Sequence, residues 1–267
     1  MRALPLFALL GLLALAGCNQ ERVILGGQPR PKLYKNIFSF SPSTSELAAK
    51  MDIEFKGRTS ACDYPDPVKN APVVVNLKPN YELLAKMKPD LIVADKALFS
   101  DEELKRATEV SGADLVTMDV HSIDDFILFI QRLAGKVGGE IRANEYADEI
   151  YNARQRAQNT VLSPVPTAAI LIGDAAGGYM IAGTKTFTAD LIRSAGAKIV
   201  GPEATEFVPA NLEQLVVWNP DFIFINDNSK GLLSDSRLAS LKAIKSRHVG
   251  AVPSAILLRA GARVAQM

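Results

Sequence analysis

Residues 211–224 read NLEQLVVWNPDFIF, and residues 80–93 read NYELLAKMKPDLIV. Asn80 and Asn211, Glu82 and Glu213, Pro89 and Pro220, and Asp90 and Asp221 pair at one offset, 131 residues (211 minus 80). Each copy opens on an Asn, which caps a helix by accepting a hydrogen bond from a backbone NH two or three residues on. The Glu that follows sits in the first turn, where the helix dipole favours negative charge. Tyr81, Leu84 and Met87 in one copy, and Leu212, Leu215 and Trp218 in the other, recur at helical spacing and predict core-facing stripes, so Trp218 is read as core. Proline then stops the helix by pushing the preceding residue out of the α region. PDLIVA and PDFIFI follow as short apolar runs, the pattern of a strand buried on both faces. A helix–strand element written twice predicts two similar lobes.

The surrounding sequence has the same rhythm. From about Leu33, short apolar runs alternate with amphipathic stretches, as in βα units. NIFSF, FKG, PVVV and DLVTM are read as first-lobe strands, with helices opening at a capping box Ser43–Glu46 and another at Ser100–Glu103. SIDDFILFIQRLAGKV is a further helix, and EIRANEYADEIYNARQRAQNTV, free of Gly and Pro, is a long one. TAAILIG, IVG and HVGAV are second-lobe strands, and TFTADLIRSAG and SRLASLKAIKS are helices between them. The expected organisation is a first lobe at 33–138, an interlobe backbone helix at 139–162 and a second lobe at 163–267.

Composition narrows the function. The chain of 267 residues has 30 Lys plus Arg against 29 Asp plus Glu, so there is no basic excess for a nucleic-acid partner. Arg2 followed by ALPLFALLGLLALAG is a charged and then apolar export signal, too short to span a bilayer. LAGC, Leu15 to Cys18, resembles a bacterial lipobox. It implies a signal peptide at 1–17, lipidation of Cys18 and a polar tether at 18–32; an ordinary cleaved signal with a chance Cys is the plainer alternative. Cys62 is the only other cysteine, so no intramolecular disulfide is expected and a buried free thiol is the simplest reading. GGYMIAGTKT lacks a phosphate-loop Lys after Gly183, where Thr184 stands, and nucleotide binding is discounted. Its glycines are read as close backbone approaches, and Thr186 as the cap of the next helix. No catalytic elbow, zinc helix or Cys pair is present, and no intrinsic metal or cofactor is expected.

SFSPSTSEL, GRTSACDYP, NYELLAKMKPDLIVA, AGTKTFTADLIRSAGA, NLEQLVVWNPDFIFI and LKAIKSRHVGAV with LLRAG stand in an order that resembles the substrate-binding proteins of ABC importers for cobalamin, haem and iron siderophores. The likeness covers residues 36 to 267. It implies an α/β fold of two Rossmann-like lobes joined by one long backbone helix, a ligand cleft between them, and no enzymatic activity. It implies a monomer that delivers a cobalt corrinoid or iron chelate, cobalamin favoured on CDYP, to an ABC permease dimer with its ATPase subunits. A lipid anchor would hold it outside the cytoplasmic membrane, on the periplasmic face in a two-membrane cell. Tyr64 and Tyr179 are the candidates for opposite cleft walls, with Asn76, Lys78 and Phe207 beside them; packing of a turn is the plainer role for Tyr64. Glu82 and Glu213 match the family's permease-docking acids, although helix-terminal acids need no such role. The likeness also implies a closing C-terminal helix of which GARVAQM is the start. The competing function is a two-lobed cleft enzyme or metal-cluster protein using Cys62 or Asp63.

Overall fold

The computed structural model describes residues 33–160, 163–173 and 178–266, so the signal peptide, Cys18 and tether lie outside the described residues. The first lobe holds strands β1 (Ile37–Ser39), β2 (Arg58–Thr59), β3 (Val73–Val75), β4 (Leu91–Asp95) and β5 (Asp114–Met118). β1, β4 and β5 form one parallel sheet, and the parallel pair β2–β3 joins it through a bridge from Gly57 to Phe38. Helices α1 (Pro42–Lys50), α2 (Tyr81–Met87) and α3 (Asp101–Ser111) make the crossovers. Then come α4 (Ile123–Val137) and the spine α5 (Glu140–Gln158), 19 residues and about 28 Å long.

The second lobe runs through β6 (Thr167–Gly173), β7 (Tyr179–Ala182), α6 (Phe187–Ser194), β8 (Lys198–Ile199), β9 (Phe207–Pro209), α7 (Leu212–Trp218), β10 (Phe222–Asn226), α8 (Lys242–Lys245), β11 (Val249–Val252) and α9 (Ser254–Leu257). Its sheet has the order β11-β10-β6-β7-β9, with β8 also on β6 and only β7 running antiparallel to its neighbours.

The repeat survives at atomic detail. Asn80 Oδ1 accepts from the Leu83 NH and Asn211 Oδ1 from the Gln214 NH, each at 3.0 Å. Both helices leave through a left-handed residue, Lys88 at φ 46° and Asn219 at φ 44°. Each Asp of the Pro-Asp pair then holds the start of the neighbouring strand: Asp90 accepts from the Asn36 NH at 3.0 Å, and Asp221 from the Thr167 NH at 2.8 Å. The Lys242 ammonium, and after it Thr167, hold the Asp221 carboxyl down at about 2. Ile37 lies opposite Leu91 and Ala168 opposite Phe222, so strand pairing repeats at the same spacing (168 minus 37, 222 minus 91).

Three local expectations are revised. Ser41, not Ser43, caps α1 by accepting from the Thr44 NH, because Pro42 supplies the preset φ of the first helical turn. Glu46 is therefore no capping acid; it is 1% exposed and turns to Arg259 and Arg263. SRLASLKAIKS is not one helix: a 3-10 turn at Ser236–Leu238 precedes the short α8, whose first NH, Lys242, is taken by the Asn219 side chain at 2.8 Å. FKG is not itself a strand: Gly57 makes a single bridge to Phe38, and β2 begins just after it, at Arg58. The capping box at Ser100 and Glu103 forms, and Thr186 caps α6. Gly183 packs directly against the backbone of Ala204, whose carbonyl would collide with any Cβ there.

The largest core is shared by the lobes. Ile37, Leu47, Leu91, Val116, Phe126, Leu133, Tyr146 and Ile150 pack with Leu191 of α6 and with Ala260 and Val264 near the chain's end. Phe126 meets the Tyr146 ring edge-on and also the Phe187 ring, at 5.5 Å between centroids. The spine is thus cemented to both lobes by apolar burial, at roughly 25 cal/mol per Å².

Candidate ligand cleft

In open α/β sheets, ligands sit outside the carboxyl ends of the strands. At the carboxyl end of β1, a run of small hydroxyl residues builds the first wall. Ser39 Oγ donates to the Ser41 carbonyl at 2.8 Å and lies 2.6 Å from Thr44 Oγ1, while Ser45 Oγ and Thr59 Oγ1 contact Cys62 Sγ at 2.9 and 3.2 Å. This buried network ties the loop after β2 to the start of α1. Cys62 is a free, buried thiol at its centre, and the next two residues, Asp63 and Tyr64, emerge at the surface.

Tyr64 is 40% exposed, and the Arg263 guanidinium lies 4.4 Å from its ring centroid. Beside it, the Asp63 carboxylate is held below its ordinary value by hydrogen bonding to Arg259, Nη1 to Oδ1 at 2.6 Å. Burial works to lower the Arg259 pKa, and the hydrogen bonds to Asp63 and Glu46 outweigh it, so the guanidinium stays charged. Asn76, exposed after β3, accepts from Ser60 Oγ at 2.9 Å. Lys78 faces elsewhere, lining a polar hollow of ≈ 380 Å³ with Tyr81, Ser100, Glu102, Glu103 and Arg106.

On the second lobe, Tyr179 pairs with Gly173 at the carboxyl end of β6. Its hydroxyl donates to Asp235 Oδ2 at 3.1 Å, and this carboxylate, held far below the usual range chiefly by Arg237, receives Arg237 Nη2 at 2.6 Å. The Tyr179 carbonyl accepts from the Ala210 NH, one residue before the Asn211 cap. Phe207 lies on the edge strand β9: it pairs with Ala182, and its half-buried ring packs on the cluster of Ala168, Ile170 and Ile192. Glu82 and Glu213 occupy matching first turns of α2 and α7, both exposed and neither in an ion pair among the described residues.

The structure thus puts Tyr64 and Asn76 at first-lobe strand ends and Tyr179 at a second-lobe one, while Phe207 is a packing residue. Sequence reading missed Glu46, Arg259 and Arg263. The available signal was the pair of arginines in LLRAGARVA, an otherwise small and apolar stretch, which demands a buried acid. Among the described residues, no group of three His, Cys, Asp or Glu side chains is arranged to hold a metal ion, and no helix is long and apolar enough to cross a membrane.

Residues 58–256 match the family described as periplasmic binding protein. The chain is 23% identical over 240 residues to the uncharacterized ABC transporter substrate-binding lipoprotein YvrC of Bacillus subtilis, covering 86% of this chain and 76% of that one. It is 24% identical over 194 residues to the high-affinity heme uptake system protein IsdE of Staphylococcus aureus, covering 70% of this chain and 65% of that one, just under two thirds. Its fold matches that of the periplasmic vitamin B12 binding protein BtuF of Vibrio cholerae, with a TM-score of 0.76 and 18% identity over 88% of this chain and 94% of that one. The chain belongs to the periplasmic binding protein family, the extracytoplasmic solute-binding proteins of ABC importers, and is not an enzyme.

Proposed function

We propose that this protein captures a metal chelate between Tyr64 and Tyr179 and hands it to an ABC permease dimer, with cobalamin favoured over haem or a ferric siderophore. The observation that carries the choice is that the arginines beside the two tyrosines are paired with acids. Among the described residues, Arg263 over Tyr64 and its neighbour Arg259 meet Glu46 and Asp63, and Arg237 beside Tyr179 meets Asp235. A haem with two propionates, or an anionic siderophore, calls for free cations; an amide-decorated corrinoid that brings its cobalt already ligated does not. Tyrosine supplies a large apolar face with a polar tip, which suits a macrocycle edge. Glu82 and Glu213, exposed on matched helix starts and in no ion pair among the described residues, are the handles for permease arginines.

The test is absorbance of the purified chain after exposure to cyanocobalamin, haemin or a ferric siderophore and desalting. The corrinoid spectrum should be retained at one per chain, and Tyr64→Ala should weaken binding about tenfold, the loss of one aromatic contact. Retention of haemin alone would overturn the choice of chelate, and retention of none would overturn the chelate reading altogether.

Anchoring through lipidated Cys18, after removal of residues 1–17, completes the reading, with YvrC, named a lipoprotein, in support. The wild-type chain should partition into detergent and Cys18→Ala should not; equal partitioning of the two would refute the anchor.

A further inference from the structure

The segment from Arg259 to Arg263 leaves the second lobe after α9 and reaches α1 of the first. Its small residues face inward: Ala260, and Val264 just beyond, join the shared core with Leu47, Tyr146 and Leu191. Its arginines converge on one carboxylate. Arg259 Nη1 lies 3.1 Å and Arg263 Nη2 2.5 Å from Glu46 Oε1, and Arg263 Nε lies 3.3 Å from Oε2. Glu46 is 1% exposed, and Arg259 reaches on to Asp63. Two guanidiniums meet two carboxylates, so the cluster is neutral, and each of these contacts joins one lobe to the other.

The backbone is fastened as well. Tyr146 of the spine donates its hydroxyl to the Gly261 carbonyl at 2.6 Å, and Thr188 of α6 donates to the Leu257 carbonyl at 2.9 Å. A Cβ on Gly261 would stand 2.6 Å from Glu46 Oε2 and 3.2 Å from the Glu46 Cβ, so glycine is what lets the segment lie against the carboxylate. Exposed pairs such as Arg142 with Asp52 can open into water at little cost. Separating the lobes would instead strand a buried carboxylate without its partners, which is strongly unfavourable.

We propose that residues 259–263 are a strap that locks the second lobe onto Glu46 of the first, fixing the width of the cleft before any ligand arrives. The strap deepens the ligand-cleft reading given above, yet it acts in the ligand-free chain. With Arg263 lying over Tyr64, it also holds that ring at the first-lobe wall. A cleft of preset width selects its ligand by size, and binding then moves the lobes little.

The experiment measures the distance distribution between spin labels at Lys86→Cys on α2 and Val217→Cys on α7, both exposed positions, in the ligand-free full chain carrying Cys18→Ser. Cys62 is buried and stays unlabelled. A single narrow distribution is expected, and Glu46→Gln and Gly261→Ala should each roughly double its width. Lys105→Gln, which breaks a pair within α3, should leave it unchanged. Folded variants at both Glu46 and Gly261 with the wild-type width would overturn the strap. Where Glu46→Gln fails to fold, Gly261→Ala, which alters no charge, decides alone. No chelate is present in this measurement, so failure of the ligand reading leaves its outcome intact.

Discussion

The last residue of β4 and the last residue of β10 stand at the same place in the two lobes, 131 positions apart (226 minus 95), and one is Asp95 while the other is Asn226. Asp95 is half-buried; burial lifts its carboxyl to about 6, against the hydrogen bond from the Ala97 NH and with help from the nearby Asp119. Asn226 is 4% exposed and uses both ends of its amide: Nδ2 donates to Ser254 Oγ at 3.2 Å, and Oδ1 accepts from the Ser229 hydroxyl. A shared backbone therefore does not impose a shared side chain. What decides is whether the position needs a donor as well as an acceptor, and how far water can reach it.

Exchanging the two residues tests this contrast. Asn226→Asp should cost about 3 kcal/mol at neutral pH, because it removes the donor to Ser254 and buries a carboxylate without a cation. Denaturant unfolding measures it, and a loss well under 1 kcal/mol would show that the two sites are equivalent. Asp95→Asn should act more weakly and in the opposite direction, gaining about 1 kcal/mol at pH 8 once partial exposure is discounted. The sign follows from the pKa, about 6 in the fold against 3.8 for an unperturbed Asp. Between these values the folded state holds a proton that the unfolded state has lost, so the native carboxyl costs stability as pH rises through that window. The gain should vanish below about pH 4, and a gain independent of pH would contradict the burial explanation.

Much of this architecture was legible because its code is local. Asn caps, a first-turn Glu, Pro-Asp and an apolar run specify helix, stop and strand within fourteen residues, and writing them twice revealed two lobes before any contact was known. The identical strand register was not legible, because it depends on Asp90 and Asp221 reaching strands more than fifty residues away. Glu46 was misread for a related reason. Its spacing from Ser43 mimics a capping box, while its actual partners lie 213 and 217 positions down the chain and leave no periodic trace. Phe207 was read as a cleft residue; in the fold it pairs with β7 and its half-buried ring packs against the cluster of Ala168, Ile170 and Ile192, a contact that local sequence does not reveal. Tyr64 lies in the loop after β2 and Tyr179 opens β7 opposite the end of β6, positions that the strand pattern of the sequence does make legible.

The proposed docking of the permease rests on the duplicated helix start, and charge reversal tests it. Uptake of labelled cyanocobalamin by cells should be measured for Glu82→Lys, Glu213→Lys and the pair, beside the affinity of each purified variant. Charges at an interface rim govern docking and orientation more than a distant pocket. Each acid, exposed and in no ion pair among the described residues, contributes only about 0.3–1 kcal/mol to its helix, so folding should survive. The expected result is reduced uptake in each single variant, none in the double, and unchanged affinity in all three. Normal transport by the double variant, or joint loss of affinity and uptake, would contradict paired docking and leave the repeat as the relic of a duplicated fold.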